Sequence, residues 1–566
     1  MDLTTKAQLL WYIGKWRATW AKRDLDYKDP LLSNPKFITA REAAEMITDN
    51  SVCFSSGMAA NARCSIFFWA IRERFEKSGH PSNLTWIVVG AQGSRGKVPG
   101  TLEEMKYPGL VTRFIAGHLE TVKEFLKLGD KKQMELHTMP QGVQAFLLRK
   151  RAEGTKALIT ETALGTFLDP RVGNGTYVGG APMTENFVTT HGEDKLKFHL
   201  PEIDFNMFVA PYCDAEGNIY KKNAACMTES YESSLATKAA GGMVIASVAD
   251  VIPKDEKNIF IPADKVDFIV VNPASEQTGG VRQRKYWSMF TDDSKEELGE
   301  SIDKIKFVNG LLKITPVRTP VENATGRLAA SLFTKVISPG SLVNIGVGLP
   351  EEVARLCYEG GIHTDIKFFS ETGAFGGIPA AGIFFGACVN PEEITTSATV
   401  FQRAYDGLDC TVLGLLEADS DGNVNVSKRG DGCWNYVGPG GFPDLTTAAK
   451  NIIFVGSWMA HAKMSLEEGK IVIEKPGPHK FCTGVSEMTF NGKVALEKGK
   501  NVYYVTNVGQ FKLTEKGMLL EQVMPGIDVQ KDILDTCPMK IVLPEGGKVP
   551  VVPKEIVTGK GFKLTW

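Results

Sequence analysis

The sequence predicts an α/β protein built as two related open α/β domains, each a mainly parallel sheet covered by helices. Three observations lead there. At 566 residues the chain is too long for a single core and divides into about three or four domain-sized units. Short apolar runs of strand length alternate with helical stretches, the arrangement that buries a parallel sheet on both faces. Several motifs of the first half recur, in the same order, in the second.

Residues 1–34 form an N-terminal extension. Thr4 or Thr5 can cap a helix in which Leu9, Ile13, Trp16 and Trp20 share one face. Lys15, Arg17, Lys22 and Arg23 decorate it, but Asp2, Asp24, Asp26 and Asp29 are out of place in a transit peptide. The expectation is a helix docked on the body or on a neighbouring subunit. The first domain spans 35–275. In it "ITAREAAEMI" reads as a capped helix, "SVCFSSG" as a strand ending in glycine, "SIFFWAIRERF" as a helix and "NLTWIVVGAQG" as a strand entering a turn. "LVTRFIAGHL", "MELHTMPQGVQAFLLRKRAEG" and "KALITETALGTFLDP" continue the series. Residues 276–320 are polar and charged, with no clear strand, and read as a linker. The alternation resumes over 321–540, the second domain, with helix "ATGRLAASLFTKV", strand "SLVNIGVG", helix "PEEVARLCYEGG" and strand "DIKFFS". Residues 541–566 are a C-terminal tail.

Composition excludes some function classes. With 64 basic and 66 acidic residues the net charge is −2, without the basic surplus of a nucleic-acid binder. The ten cysteines contain no C-x-x-C pair and no Cys/His cluster at zinc spacing. They read as buried apolar residues of a reducing, cytoplasmic compartment, and no metal site is expected. No apolar run reaches the ~18 residues of a membrane span.

The internal repeat singles out one residue. "DAEGNIY" at Asp214 parallels "DSDGNVNVS" at Asp419, "SVCFSSGM" parallels "SLVNIGVG", and "NLTWIVVGAQG" parallels "TDIKFFSETGAFGG". In that alignment Gly90 stands where Glu371 stands, so the fold itself does not require a carboxylate at this strand end. Open α/β sheets place ligand chemistry there. The bland alternative for Glu371 is the first solvated residue of a turn.

Other motifs have plainer readings of their own. "NIGVGLPEEVARL" carries G-x-G between strand and helix, yet Glu351 occupies the third glycine position of a dinucleotide fingerprint, and an acid there opposes a pyrophosphate. A tight turn with Pro350 at the first helical position fits better. "WNYVGPGGFPDLTTAAK" exposes backbone N–H groups able to hold an oxyanion, or is an irregular surface loop. Gln141 in "HTMPQGVQAF" sits in a capped turn.

Together these stretches resemble the family I coenzyme A-transferases in their single-chain form, closest to the propionate/acetate branch. The resemblance rests on "MPQGV", "LGTFLDPR", "NIGVGLPEEVA", "SETGAFGGIPAAGIFFGA", "GNVNVSKRG", "GPGGFPDLT" and "YVTNVGQFKLTEKGMLLEQVMPGID", in family order over roughly residues 35–540. It implies Glu371 as nucleophile, with a glutamyl-CoA thioester formed in a ping-pong sequence. Gly441 and Gly440 would serve the oxyanion or the CoA thioester, and Gly57 and Met58 the opposing side. Gln141, Gly373 and Gly348 would support the site. The substrates implied are a short-chain acyl-CoA and a small carboxylate, coenzyme A is a substrate, no cofactor is held permanently, and a homo-oligomer is expected. At "FQRAYDGLD", Gln402-Arg403 departs from the branch. Arg403 could meet a second carboxylate of the substrate; the ordinary reading is a surface arginine. An acyl-CoA hydrolase on the same fold and a non-catalytic acyl-CoA-binding protein are the competing functions.

Overall fold

Seven parallel strands organise the first half of the computed structural model, which describes residues 1–94, 96–275, 277–278 and 287–566. They are β1 (Val52–Ser55), β2 (Leu84–Val88), β3 (Val111–Ala116), β4 (Glu135–Thr138), β5 (Phe205–Cys213), β6 (Met243–Val251) and β7 (Phe268–Val271). Their spatial order is β7-β6-β5-β1-β2-β3-β4. All nine residues of β5 are buried, as expected of a strand covered on both faces.

The second half repeats the plan. β8 (Leu342–Ile345), β9 (Lys367–Phe369), β10 (Cys410–Leu413), β11 (Asn451–Val455) and β12 (Asn501–Val505) run parallel in the order β9-β8-β10-β11-β12. This matches β2-β1-β5-β6-β7 strand for strand. The turns after β5 and β10 match in detail. Asp214 Oδ1 accepts from the backbone N–H groups of Glu216, Gly217 and Asn218, and its Oδ2 from Asn218 Nδ2. Asp419 Oδ1 accepts from Asp421 and Asn423, and its Oδ2 from Asn423 Nδ2. The same side-chain-to-backbone closure at the same topological point supports the internal repeat.

The ladder shifts one detail of that repeat. Cys53 pairs with Trp86 and Val343 with Phe368. Counting on from these pairs, the residue level with Glu371 is Val89, one before Gly90. Sequence matching aligned the glycine turns, whereas hydrogen bonds set the register. Neither residue is acidic, so the asymmetry between the two strand ends stands.

Eight helices pack around these sheets and their neighbours: α1 (Leu3–Thr19), α2 (Gln141–Ala152), α3 (Ser230–Ala239), α4 (Leu298–Leu312), α5 (Pro320–Val336), α6 (Glu351–Gly360), α7 (Ser397–Gly407) and α8 (Phe442–Ala448). Asp2, not Thr4 or Thr5, caps α1, its carboxylate accepting from the Thr5 N–H at 2.7 Å. A charged acceptor suits a helix start better than a hydroxyl. Thr319 begins α5 with a reciprocal capping box to Glu322 and Pro320 at the first helical position.

Of the linker expected over 276–320, residues 276 and 279–286 lie outside the described residues. Much of the remainder is α4. Its Ile305 and Val308 join Trp287, Phe290, Phe384, Ala387 and, from the N-terminal helix, Leu9 and Ile13 in one cluster. The N-terminal helix is therefore docked on the body, in one cluster with α4. None of the described helices is long and apolar enough to cross a membrane.

Candidate active site

Strand β9 brings Phe368 and Phe369 into the core, and the chain then turns sharply through Ser370-Glu371-Thr372-Gly373. The Gly373 N–H donates to the Ser370 carbonyl at 3.1 Å, and its own carbonyl accepts from Thr395 N–H at 2.9 Å. Gly373 has φ +103°, and a Cβ there would lie 2.2 Å from the Thr395 carbonyl oxygen, so no side chain fits. Ser370 Oγ donates to the Gly386 carbonyl at 2.8 Å, and Thr372 Oγ1 donates to the same oxygen. Both neighbours of Glu371 are thus tied inward, leaving its side chain to point elsewhere.

Two loops from opposite halves meet in front of it. The Gln141 N–H, at the start of α2, donates to the Gly440 carbonyl at 3.0 Å. Gly440 N–H in turn donates to the Gly117 carbonyl at 2.8 Å, and Gly142 N–H to Asp444 Oδ2 at 2.8 Å. Gly441 caps α8 at φ −84°. A Cβ placed on it would lie 3.3 Å from Gln141 Oε1, 3.3 Å from Phe401 Cζ and 3.4 Å from Glu371 Cγ. Glu371, Gln141 and Gly441 therefore converge, with buried Phe401 behind them.

Gly57 and Met58 are used differently from the expected pair of backbone donors. Met58 N–H donates to the Asn61 carbonyl at 3.1 Å, and Asn61 N–H returns the bond to Met58 at 2.7 Å, closing a tight turn. The Gly57 N–H is directed at the buried carboxylate of Glu229. Met58 comes to the site through its side chain instead. A Cβ at Gly90 would lie 2.7 Å from Met58 Cγ and 3.2 Å from Gln141 Nε2. Asn61 joins the halves, its Nδ2 donating to the Phe385 carbonyl at 2.6 Å. Gly348 lies at the α6 end, where its carbonyl accepts from Arg318 Nη2 at 2.7 Å.

Burial raises the pKa of Glu371, opposed by its own backbone N–H and by Asn344, whose Nδ2 lies 3.4 Å from Oε1. Burial pushes the Cys388 thiol up to about 12, with Glu371 adding to it, so this neighbour stays protonated and is no rival nucleophile. Burial also lifts Asp444 and Glu229, each to about 7.

A cavity of about 450 Å³ opens beside Glu371, within the range of small-molecule sites. Its walls come from α4, the start of α5, the β8–α6 turn and residues 378–387. Sequence reasoning missed three contributors. Asn344, a polar residue inside the buried strand "SLVNIG", was a visible signal; Asp444 in "GFPDLT" was another. The third, α4, had Ile302 and Ile305 at helical spacing within a stretch dominated by charge. Arg403 lies elsewhere: it pairs with Glu393 at 2.7 Å and covers the Phe375 ring at 4.4 Å.

No family model matches the chain. Among curated proteins it is 35% identical over 520 residues to a caffeate CoA-transferase of Acetobacterium woodii, spanning 88% of this chain and 93% of the relative. It is 29% identical over 516 residues to the acetate CoA-transferase YdiF of Escherichia coli K12, spanning 88% of this chain and 91% of that protein. Among solved structures, the acyl-CoA transferase YdiF of E. coli O157:H7, as a thioester complex with CoA, superposes with TM-score 0.80 at 26% identity. That match covers 92% of this chain and 96% of the other. A relative of this identity and coverage, on a fold of two repeated halves meeting at a strand-end glutamate, places the chain among the family I coenzyme A-transferases, as an enzyme with both halves fused in one polypeptide.

Proposed function

We propose that the enzyme moves CoA from a short-chain acyl-CoA to an acetate-like carboxylate through Glu371. The carboxylate attacks the thioester carbonyl, the C–S bond breaks, and CoA leaves as thiolate from a mixed anhydride. The thiolate attacks the glutamyl carbonyl, releasing the donor acid and leaving a glutamyl-CoA thioester. An acceptor carboxylate then attacks that thioester, and CoA thiolate completes the transfer on the new acyl group. No general base is needed, because the attacking group is a carboxylate, with an ordinary pKa of about 4.3, and Asn344 and its own backbone N–H favour its ionised form against burial. What the steps need is charge stabilisation at the two tetrahedral centres. The Gly441 N–H and the Gln141 side-chain amide would supply it; Gly440, expected as a second donor, has its N–H taken by the Gly117 carbonyl and would contribute only the turn.

The observation that carries this reading is the convergence of Glu371 with Gln141 and Gly441, one from each half. The acid transferred is read as small because Met58 fills the space in front of Gly90. Two relatives, each matched over 88% of this chain, are named for different acids, caffeate and acetate, so the choice of a small acid rests on Met58 and not on them. With Arg403 held by Glu393, no role for it with a second substrate carboxylate is proposed.

The test is trapping. The enzyme is mixed with acetyl-CoA and no acceptor, and digested peptides are weighed. The expected product is CoA attached through a thioester to the peptide containing Glu371, absent in Glu371→Gln. Labelling elsewhere, or acyl-CoA loss without acceptor that continues past one equivalent per Glu371, overturns the proposal; the latter outcome would make the enzyme a hydrolase.

A further inference from the structure

We propose that α4, the helix inside the expected linker, supplies a phosphate-binding residue for CoA, Lys306. This rests on the proposed function and adds to it the part of the substrate that α4 holds. Helical spacing puts Ile302, Ile305, Lys306 and Asn309 on one stripe, and all four line the cavity that also contains Glu371. Three members of the stripe have an evident role in holding the wall together. Ile305 packs in the cluster with Trp287 and Phe384, and Ile302 packs against that cluster. Asn309 ties α4 to the opposite edge: its Nδ2 donates to the Ala381 carbonyl at 2.9 Å, and its Oδ1 accepts from Ile383 N–H at 3.1 Å.

Lys306 has no such role. It is exposed at the rim of the cavity. The other cations of the lining are already paired. Arg318 meets Glu352 at 3.0 Å, and Arg355 meets Glu352 and Glu359, each at 2.7 Å. Lys306 has no carboxylate partner among the described residues. An unneutralised ammonium on the inward stripe of a helix, at the rim of a cavity floored by the reacting carboxylate, fits a substrate that is apolar and amide-like near its thioester and anionic at its far end. CoA has that polarity. The pantetheine arm would run along the Ile302–Ile305 wall, with a phosphate of the nucleotide end at Lys306. The ordinary alternative is a solvated lysine, and the experiment separates the two.

Steady-state transfer to acetate is measured with propionyl-CoA and with propionyl-pantetheine, which lacks every phosphate. In Lys306→Glu, kcat/KM for propionyl-CoA should fall about tenfold or more, the size of a lost charge-assisted contact. For propionyl-pantetheine it should stay within about twofold, and KM for acetate should not change. Lys306→Arg should restore most of the loss. The advantage of the CoA ester should shrink with added salt in the wild type and not in Lys306→Glu. An equal fall for both thioesters, or no fall for either, overturns the assignment. If the wild type transfers from neither thioester, the proposed function itself fails. Thermal melting of each variant checks that the exposed substitution leaves the fold intact.

Discussion

Replacing Gly441 by alanine tests whether the junction of the two halves does chemistry or only packing. The backbone at this residue, φ −84° and ψ 0°, is open to any amino acid, so alanine adds no conformational strain and restricts the unfolded chain slightly. The added methyl would sit 3.3 Å from Gln141 Oε1, 3.3 Å from Phe401 Cζ and 3.4 Å from Glu371 Cγ. All three are side-chain atoms; Gln141 and Phe401 have to yield by only a few tenths of an ångström, and Glu371 by less. Stability should therefore change by less than about 1 kcal/mol in either direction. Catalysis should not be so tolerant. A displacement approaching 1 Å at reacting groups can cost on the order of a hundredfold, so the smaller shift here should lower kcat by about ten- to a hundredfold. The assay is acceptor-dependent CoA exchange at saturating substrate, run beside urea unfolding of the same sample. Wild-type kcat in Gly441→Ala would refute the placement of Gly441 at the reacting atoms. A loss of activity matched by a loss of several kcal/mol in stability would refute it equally, since the methyl would then be disrupting packing.

Two further predictions concern protons. Asn344 stabilises the ionised form of Glu371 against burial, so removing it should raise the carboxyl pKa further. The acid limb of kcat/KM should lie above the usual glutamate value in the wild type and move to still higher pH in Asn344→Ala; an unchanged limb would deny the contact. Asp444 is held near 7 in the folded chain against a usual 3.8, so between those values the native state keeps a proton the unfolded state has lost. Its contribution is fully present below about 3.8 and is lost as pH rises through about 7. Asp444→Asn, which can still accept from Gly142 N–H, should gain relative to wild type on going from pH 5 to pH 8, measured as the difference in urea midpoints. A difference that does not vary with pH would contradict the buried charge.

The fold was legible because each level of the sequence agreed with the next. Strand-length apolar runs such as "LTWIVV" became buried parallel strands, whereas α5 starts at Pro320 behind its Thr319 cap, four residues ahead of the Ala324 at which the apolar pattern begins. Glu371 was legible because the repeat offered an internal comparison, although sequence matching misplaced its counterpart by one residue. The role of α4 was hidden by its charge. Its inward stripe is narrow, and Asp303, Lys304 and Lys306 around it give the segment the composition of a solvated connection. Contacts made across hundreds of residues, such as Gly142 with Asp444 or Asn61 with Phe385, leave no local signal at all. Arg403 follows the ordinary reading of a surface arginine, paired with Glu393, while Phe401 is the member of α7 that faces Gly441.

The twin aspartate turns after β5 and β10 have a consequence for how such an enzyme can change. Two copies of one scaffold are held in one chain, and a carboxylate stands at the strand end of only one of them. The copy without it is released from the demands of a reagent. At its strand end Gly90 leaves room for Met58 and Gln141 to approach, so on the proposed function that half serves as a mould while its sister carries the reacting group. On that reading, a change at Met58 would alter which acid is accepted while leaving Glu371 in place. One scaffold, used twice, then carries different duties at a single site, with Gln141 of the first half still beside the carboxylate of the second.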